Sequence, residues 1–425
     1  MAKMNLKSIL AIFYEEGDEM QFLSRDLTER IIAMSREYAC LLVSGPRQVG
    51  KTTLLRSIEP NRTYVTLDDL EERRLAKMEP ATFLQLHQPP VLIDEVQYAP
   101  ELFSYIKMAV DAGAAPGAFW LTGSQAFHLM ELAQESLAGR TALFHLPSLS
   151  QHEIYGSGDN AVFSTDMTAL QERAKRGRET DLSGIYERIW RGSMPGLISG
   201  KYTDWNMFYS SYVATYISRD VSEMLERVDR LQFQDFIRAV ACRVGQMLNV
   251  HSIAMDVGVS DKTAKHWLKI LEASDIIFYL RPYTNNLLKR AVKQAKMYFF
   301  DTGLVAYLTA YLSPEILAKG ALSGAILENY VVAEIRKTFY NAGRQGNFWY
   351  YRDRSGAEID MVLEENGYLY PLEIKRMANP SASLVHAFAV MDKGALPRGN
   401  GAILCTRQQL TAIDAKNYVV PIWML

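Results

Sequence analysis

Over its first 150 residues the chain alternates short apolar runs with amphipathic segments. Runs at 39–43, 63–67, 90–97, 118–125 and 142–146 are bounded by glycine, proline or polar residues and are too short for helices. They read as buried strands, and strands alternating with helical segments predict an α/β fold with a parallel sheet. Residues 1–36 read as an N-terminal helical arm ending in an amphipathic stretch at 26–34, with packing as its role. From 151 to 230 the pattern is helical, and the charged runs 68–74 and 173–181 read as solvated surface. From 231, helical periodicity covers 233–248, 251–257 and a helix capped by Ser260 through 272, before a strand at 275–281. The last third opens with a strand at 297–303 and a helix at 325–335. Three short strands follow at 347–352, 357–363 and 368–375.

A chain of 425 residues exceeds one ordinary core. The expected division is 37–150 for the sheet domain, 151–230 for the helical part, 231–296 for the next unit and 297–425 for the last. Hydrophobic content of 48% and charged content of 22% are globular values. The formal net charge of -2 removes overall basicity as an argument for nucleic acid and leaves local basic faces. Cys40, Cys242 and Cys405 have no metal or disulfide spacing, which fits a reducing cytoplasm. No stretch is apolar for long enough to span a membrane, so a cytoplasmic, membrane-free protein is expected.

The first strand runs into Ser44-Gly45-Pro46-Arg47-Gln48-Val49-Gly50-Lys51-Thr52-Thr53. Strand, glycine-bounded loop and helix start form the context of a phosphate-binding loop. Gly45 and Gly50 permit the tight turn, with the backbone of Pro46, Arg47, Gln48, Val49 and Thr53 completing the cradle. Lys51 is placed for the β- and γ-phosphates of ATP and Thr52 for Mg²⁺. The strand at 90–97 ends in Asp94 and Glu95. Neighbouring strand residues face opposite ways, so Asp94 can hold the metal while Glu95 activates water. The strand at 118–125 ends in Thr122, Ser124 and Gln125 at the same sheet edge. Ser124 is the candidate γ-phosphate sensor, or else a turn former.

These residues resemble the AAA+ ATPases, in the branch where a Gly-Pro-Arg-x-x-Gly-Lys-Thr loop and an Asp-Glu-x-Gln strand precede Leu-Thr-Gly-Ser and Ala-Gly-Arg. The resemblance implies ATP hydrolysis with Mg²⁺ and a helical lid after the sheet. It makes Arg140 an arginine finger acting on a neighbouring subunit, hence a homo-oligomer; an intramolecular salt bridge is the other reading. Arg191 and Arg219 are further candidates for nucleotide contact.

Helix, helix, turn, helix and strand hairpin is the order of a winged helix. On its third helix Ala264, Trp267, Leu268 and Leu271 form the inward stripe, leaving Lys262, Lys265, His266 and Lys269 outward. With Arg281, Lys289, Arg290, Lys293 and Lys296 this is the most basic region of the chain, suited to DNA phosphates or to protein contact.

In the last third Glu358 and Asp360 share one strand face, and Glu373 and Lys375 share a face of the next. Asp360, Glu373 and Lys375 can converge as a metal site with an adjacent lysine. An edge hairpin with solvent-facing charges is the alternative. With Glu328 on the preceding helix, the pattern resembles the PD-(D/E)XK nuclease superfamily, although Glu-Ile-Asp stands where that superfamily carries Pro-Asp. By that resemblance Glu328, Asp360 and Glu373 bind metal and Lys375 is catalytic. The succession of modules also resembles a widespread prokaryotic family of "ATP-binding proteins". The expected function is a Mg²⁺-dependent ATPase coupled to DNA binding, branched or single-stranded DNA included, with cleavage by the C-terminal domain as its extension. A nucleotide switch that binds protein partners through a non-cleaving C-terminal domain is the rival, and a DNA-binding regulator is a third reading.

Overall fold

The computed structural model describes residues 23–124, 129, 137–155, 161–217, 229–284, 294–353 and 356–425. Strands β1 (Cys40–Ser44), β2 (Thr63–Thr66), β3 (Val91–Asp94), β4 (Phe119–Gly123) and β5 (Thr141–His145) form one sheet in the order β2-β3-β4-β1-β5. Every pairing in it is parallel. β1, β3 and β4 are buried along their whole length, which is why their sequences are continuous apolar runs rather than alternating ones. Cys40, Leu42, Ile93 and Leu121 pack on one face with Phe103 and Ile106. Leu41, Val43, Leu92 and Trp120 pack on the other with Leu54 and Leu55 of helix α1 (Lys51–Ile58). Register places Ser44 opposite Gly123 and His145, and Thr66 opposite Asp94. The carboxyl ends of the strands therefore share one edge, where ligands of parallel sheets bind.

Helices α2 (Arg230–Ala241), α3 (Val250–Val257) and α4 (Asp261–Ala273) follow the helical stretch after the sheet. Ser260 caps α4 by accepting from Thr263 N at 3.0 Å. Trp267 packs edge-on against Phe233 and Phe236 of α2 at 5.3 and 5.1 Å.

Strand β6 (Ile277–Pro282) pairs antiparallel with β7 (Lys296–Phe299). β6 also runs parallel to β8 (Asn347–Arg352), and Tyr283 N donates to Tyr350 O at 2.6 Å. The hairpin thereby continues into β9 (Glu358–Glu365), β10 (Tyr368–Lys375), β11 (Gly401–Cys405), β12 (Thr411–Ala412) and β13 (Asn417–Pro421). The order is β12-β13-β11-β10-β9-β8-β6-β7. Across this sheet lies helix α5 (Ser323–Asn341), most of it buried. Asn329, fully buried, accepts from Phe299 N at 2.6 Å and donates to Phe299 O at 2.9 Å, fixing α5 against β7. One hydrophobic cluster runs from Phe163 to Leu425, so the helical stretch, the hairpin and the C-terminal strands share a core. Among the described residues no helix is long and apolar enough to cross a membrane.

Candidate functional site

The loop between β1 and α1 has its glycines where the backbone demands them. Gly45 has φ +148°, and a Cβ there would lie 2.1 Å from Leu146 O. Gly50 caps α1 at φ 88°; Gln48 adopts φ 63° without being glycine, a conformation that costs on the order of 1–2 kcal/mol and clusters at ligand sites. Lys51 Nζ donates to Gly45 O at 2.9 Å and Pro46 O at 2.8 Å. Burial pushes its ammonium below the ordinary lysine range, while Glu95 and Asp94 pull it back up. Arg47 is buried beside Tyr98.

At the end of β3, Thr52 donates to Asp94 Oδ1 and Oδ2 at 2.9 and 3.0 Å, and Tyr64 donates to Oδ2 at 3.1 Å. Thr122 donates to the same carboxylate, so three hydroxyls fix it. A hydroxyl and a carboxylate side by side at a helix start are hard oxygen donors suited to Mg²⁺, and the residues present fit that ion. Burial, followed by Asp94, pushes the Tyr64 phenol up to about 12, leaving it a donor. Glu95 takes φ 57°, which turns its carboxylate away from that of Asp94 toward Gln97 and Ser124. Gln97 Nε2 donates to Glu95 and, at 3.2 Å, to Ser124 Oγ; Ser124 donates to Glu95 Oε2 at 3.3 Å. Gly123 is small because a Cβ there would lie 2.3 Å from Gln97 Oε1. Ser124 is thus placed beside Glu95, while Gln125 lies outside the described residues.

A cavity of about 350 Å³ adjoins the loop, lined by Gln48, Gly50 and Thr53 on one side and Pro195, Lys201 and Tyr202 on the other. Its size suits a nucleoside. Arg25 lines it as well. Its guanidinium donates to Val49 O and Pro147 O at 2.7 Å each and pairs with Glu153 Oε1 at 2.8 Å. Nothing in the local pattern around Arg25 signals this, because its partners lie up to 128 positions away. Arg191 donates to Leu197 O at 3.3 Å, and Arg219 lies outside the described residues. Arg140 pairs with Asp111 at the start of β5, the opposite end of the sheet from the chain's own loop.

Residues 146–151 tie this site to α5. Gly45 packs on Leu146 O, and Arg25 holds Pro147 O. Lys337 Nζ donates to Leu149 O and Ser193 Oγ at 2.9 Å and to Glu334 Oε1 at 2.8 Å. Glu334 Oε2 accepts from Gln151 N at 2.8 Å. Beyond Lys337, Ser193 donates through N and Oγ to Asp301 Oδ2 at 2.8 and 3.0 Å.

A second junction joins β5 to the end of α4. His145 Nδ1 stands 3.7 Å from Asp275 Oδ2, while His145 Nε2 and Asp275 Oδ2 are buried without hydrogen bonds. Burial lowers the His145 imidazole to about 3 and raises the Asp275 carboxyl to about 8, the latter opposed by Lys51 and Arg336. An unfolded aspartate loses its proton near about 3.9, so the folded state keeps a proton that the unfolded state has released. This contribution is fully present below about pH 4 and is lost as the pH rises through about 8. Asp275→Asn, which tolerates the left-handed φ of 54°, is expected to raise the thermal midpoint by several degrees at pH 8. The gain should vanish near pH 4, and equal midpoints at pH 8 would refute the assignment.

Lys262, Lys265, His266 and Lys269 are exposed on α4, opposite its buried stripe. Arg281 is exposed; Lys289, Arg290 and Lys293 lie outside the described residues. Lys296, grouped with them in the basic region, is instead 5% exposed and faces the C-terminal carboxylates. Its Nζ lies 3.2 Å from Glu328 Oε1, 2.9 Å from Glu358 Oε1 and 3.7 Å from Asp360 Oδ1. Lys375 Nζ lies 3.2 Å from Asp360 Oδ2 and 2.5 Å from Glu373 Oε1. Tyr298 donates to Glu328 Oε1 at 2.6 Å and Ile374 N to Asp360 Oδ2 at 2.9 Å. Burial and then Asp360 raise Glu373 to about 7 and also push Glu328 up. The structure thus brings Glu328, Asp360, Glu373 and Lys375 together. It does so around two lysines, Lys296 and Lys375, whose ammonium groups pair with the carboxylates.

Residues 37–155 match the family described as an AAA domain. Residues 183–315 and 323–425 match two families described as domains of unknown function, DUF8612 and DUF4143. The chain is 27% identical over 373 residues to "Uncharacterized protein Rv2008c" of Mycobacterium tuberculosis and to "Uncharacterized protein Mb2031c" of Mycobacterium bovis. The match covers 87% of this chain and 77% of each relative. Among solved structures it is similar to the Walker-type ATPase PABY2304 of Pyrococcus abyssi, at 15% identity and a TM-score of 0.41, covering 70% of this chain and 98% of that one. The loop, the parallel sheet and the matched family together make residues 37–155 a P-loop domain of the AAA type.

Proposed function

We propose that the protein is a Mg²⁺-dependent ATPase whose nucleotide state is transmitted to the winged helix and the C-terminal sheet, which act on DNA. Bound Mg²⁺-ATP would supply the electrophilic phosphoryl group and offset its charge. Lys51 and the loop amides hold positive potential at the phosphate position, Thr52 and Asp94 offer the metal ligands, and Glu95 accepts the proton of the attacking water. The observation that carries the coupling is the stretch 146–151, which contacts Gly45 and Arg25 on the nucleotide side and Lys337 and Glu334 on the other. A change at the loop thus reaches α5 through hydrogen bonds rather than through a flexible linker. The place of Arg140 suits action on a neighbouring copy, and light scattering with and without ATP tests for that assembly. Metal-dependent cleavage is not part of this reading, because Lys296 stands among the carboxylates.

The exposed cations of α4 support DNA contact. Fluorescence anisotropy with linear, single-stranded and branched DNA is expected to show binding that weakens steeply with salt. The triple variant Lys262→Glu, Lys265→Glu, Lys269→Glu should lose at least 10-fold in affinity with ATPase turnover retained. Absence of binding to every DNA would favour a switch that engages protein partners.

A further inference from the structure

We propose that Lys296 is the resident cation of the C-terminal carboxylate cluster, taking the place that a divalent metal would occupy, so that the cluster holds no metal while Lys296 is in place. The inference goes beyond the ATPase reading and rests on geometry away from the nucleotide loop. Three carboxylates from two elements converge on one ammonium: Glu328 from α5, and Glu358 and Asp360 from β9, all within 3.7 Å of Nζ. The lysine itself is 5% exposed, and its position is imposed from outside the cluster. Lys296 starts β7, which pairs with β6 through Leu280, and a bridge joins it to Met247 on its other side. Backbone pairing on both flanks fixes where the side chain enters.

A Mg²⁺ or Mn²⁺ ion drawing on the same oxygens would bind them at about 2.1 Å, leaving it roughly 3–4 Å from the ammonium. At that separation an ammonium and a divalent cation repel each other strongly, and the partly buried site screens them less than water would. Metal and lysine therefore exclude each other. The acids require some cation, because carboxylates buried together without one are costly. Glu373 Oε2, buried and without a hydrogen-bond partner, shows that the lysines leave part of that demand unmet.

The test counts Mn²⁺ by electron paramagnetic resonance in the full chain carrying Asp94→Asn, which removes the nucleotide-site ligand. With Lys296 in place, no Mn²⁺ should bind below about millimolar concentration. Adding Lys296→Met should create one site per chain, and adding Asp360→Asn should abolish it again. Lys296→Gln serves as the second variant, with circular dichroism confirming the fold of each. Mn²⁺ bound while Lys296 is present and lost with Asp360→Asn would overturn the proposal. So would the absence of Mn²⁺ from the folded Lys296 variants, since the carboxylates would then not be a cation site at all.

Discussion

Glu95→Gln is expected to lower ATP turnover by about 10²–10³-fold while leaving ATP binding within a few-fold of wild type. Glutamine keeps the shape of the side chain and can still meet Gln97 and Ser124, but it has no basic lone pair to accept a proton at neutral pH. Asp94 and Thr52, which hold each other at 2.9 Å, are untouched, so the metal ligands and the loop stay in place. Single-turnover hydrolysis and equilibrium binding of a fluorescent ATP analogue separate the two effects. Turnover at the wild-type rate would remove Glu95 from the chemistry, and a parallel loss of binding would make it a structural residue.

Lys337→Met is expected to destabilise the protein by about 3–5 kcal/mol, the typical cost of removing one partner of a buried ion pair. Lys337 is 1% exposed and Glu334 is 2% exposed. Methionine fills most of the volume, so the loss is electrostatic: Glu334 keeps only its bond from Gln151 N, and Leu149 O and Ser193 Oγ lose a donor. The double variant Lys337→Met, Glu334→Leu should recover a large part of the loss, since exchanging both charges for apolar groups is often near neutral. Chemical denaturation measures both. If the double variant regains stability yet shows ATP turnover insensitive to DNA, the junction transmits the nucleotide state. Unchanged stability in the single variant would contradict the buried pair.

Part of the site was legible in the chain because its residues are neighbours in sequence. The loop from Gly45 to Thr53 sits between a strand and a helix whose periods are local, and Asp94 and Glu95 end an apolar run that can only be a buried strand. Strand alternation likewise placed Glu358 with Asp360 and Glu373 with Lys375, and the structure joins Asp360, Glu373 and Lys375. The inward stripe of α4 followed from helical spacing, and Ala264, Trp267, Leu268 and Leu271 are buried as that spacing requires.

Residues whose role depends on distant partners were not legible. Tyr64 reads as one β-branched-strand residue among several, and only the pairing of β2 with β3 brings its hydroxyl to Asp94. Lys296 looks like one more basic residue of the hairpin until α5 and β9 close over it. Gln97 was visible as part of a motif, but its grip on Glu95 needs the left-handed turn at Glu95 and the absent side chain of Gly123.

The phosphate loop, the strands that carry it and the faces on which the charged residues of each element lie are set locally along the chain. These follow from periodicity and backbone preference over a few residues. What those faces meet depends on how distant segments pack once folded. The contact of Lys337 with Leu149 spans 188 positions, and that of Lys296 with Glu328 spans 32. Local spacing carries no information across such separations; burial and charge neutralisation select the partners once the chain has folded.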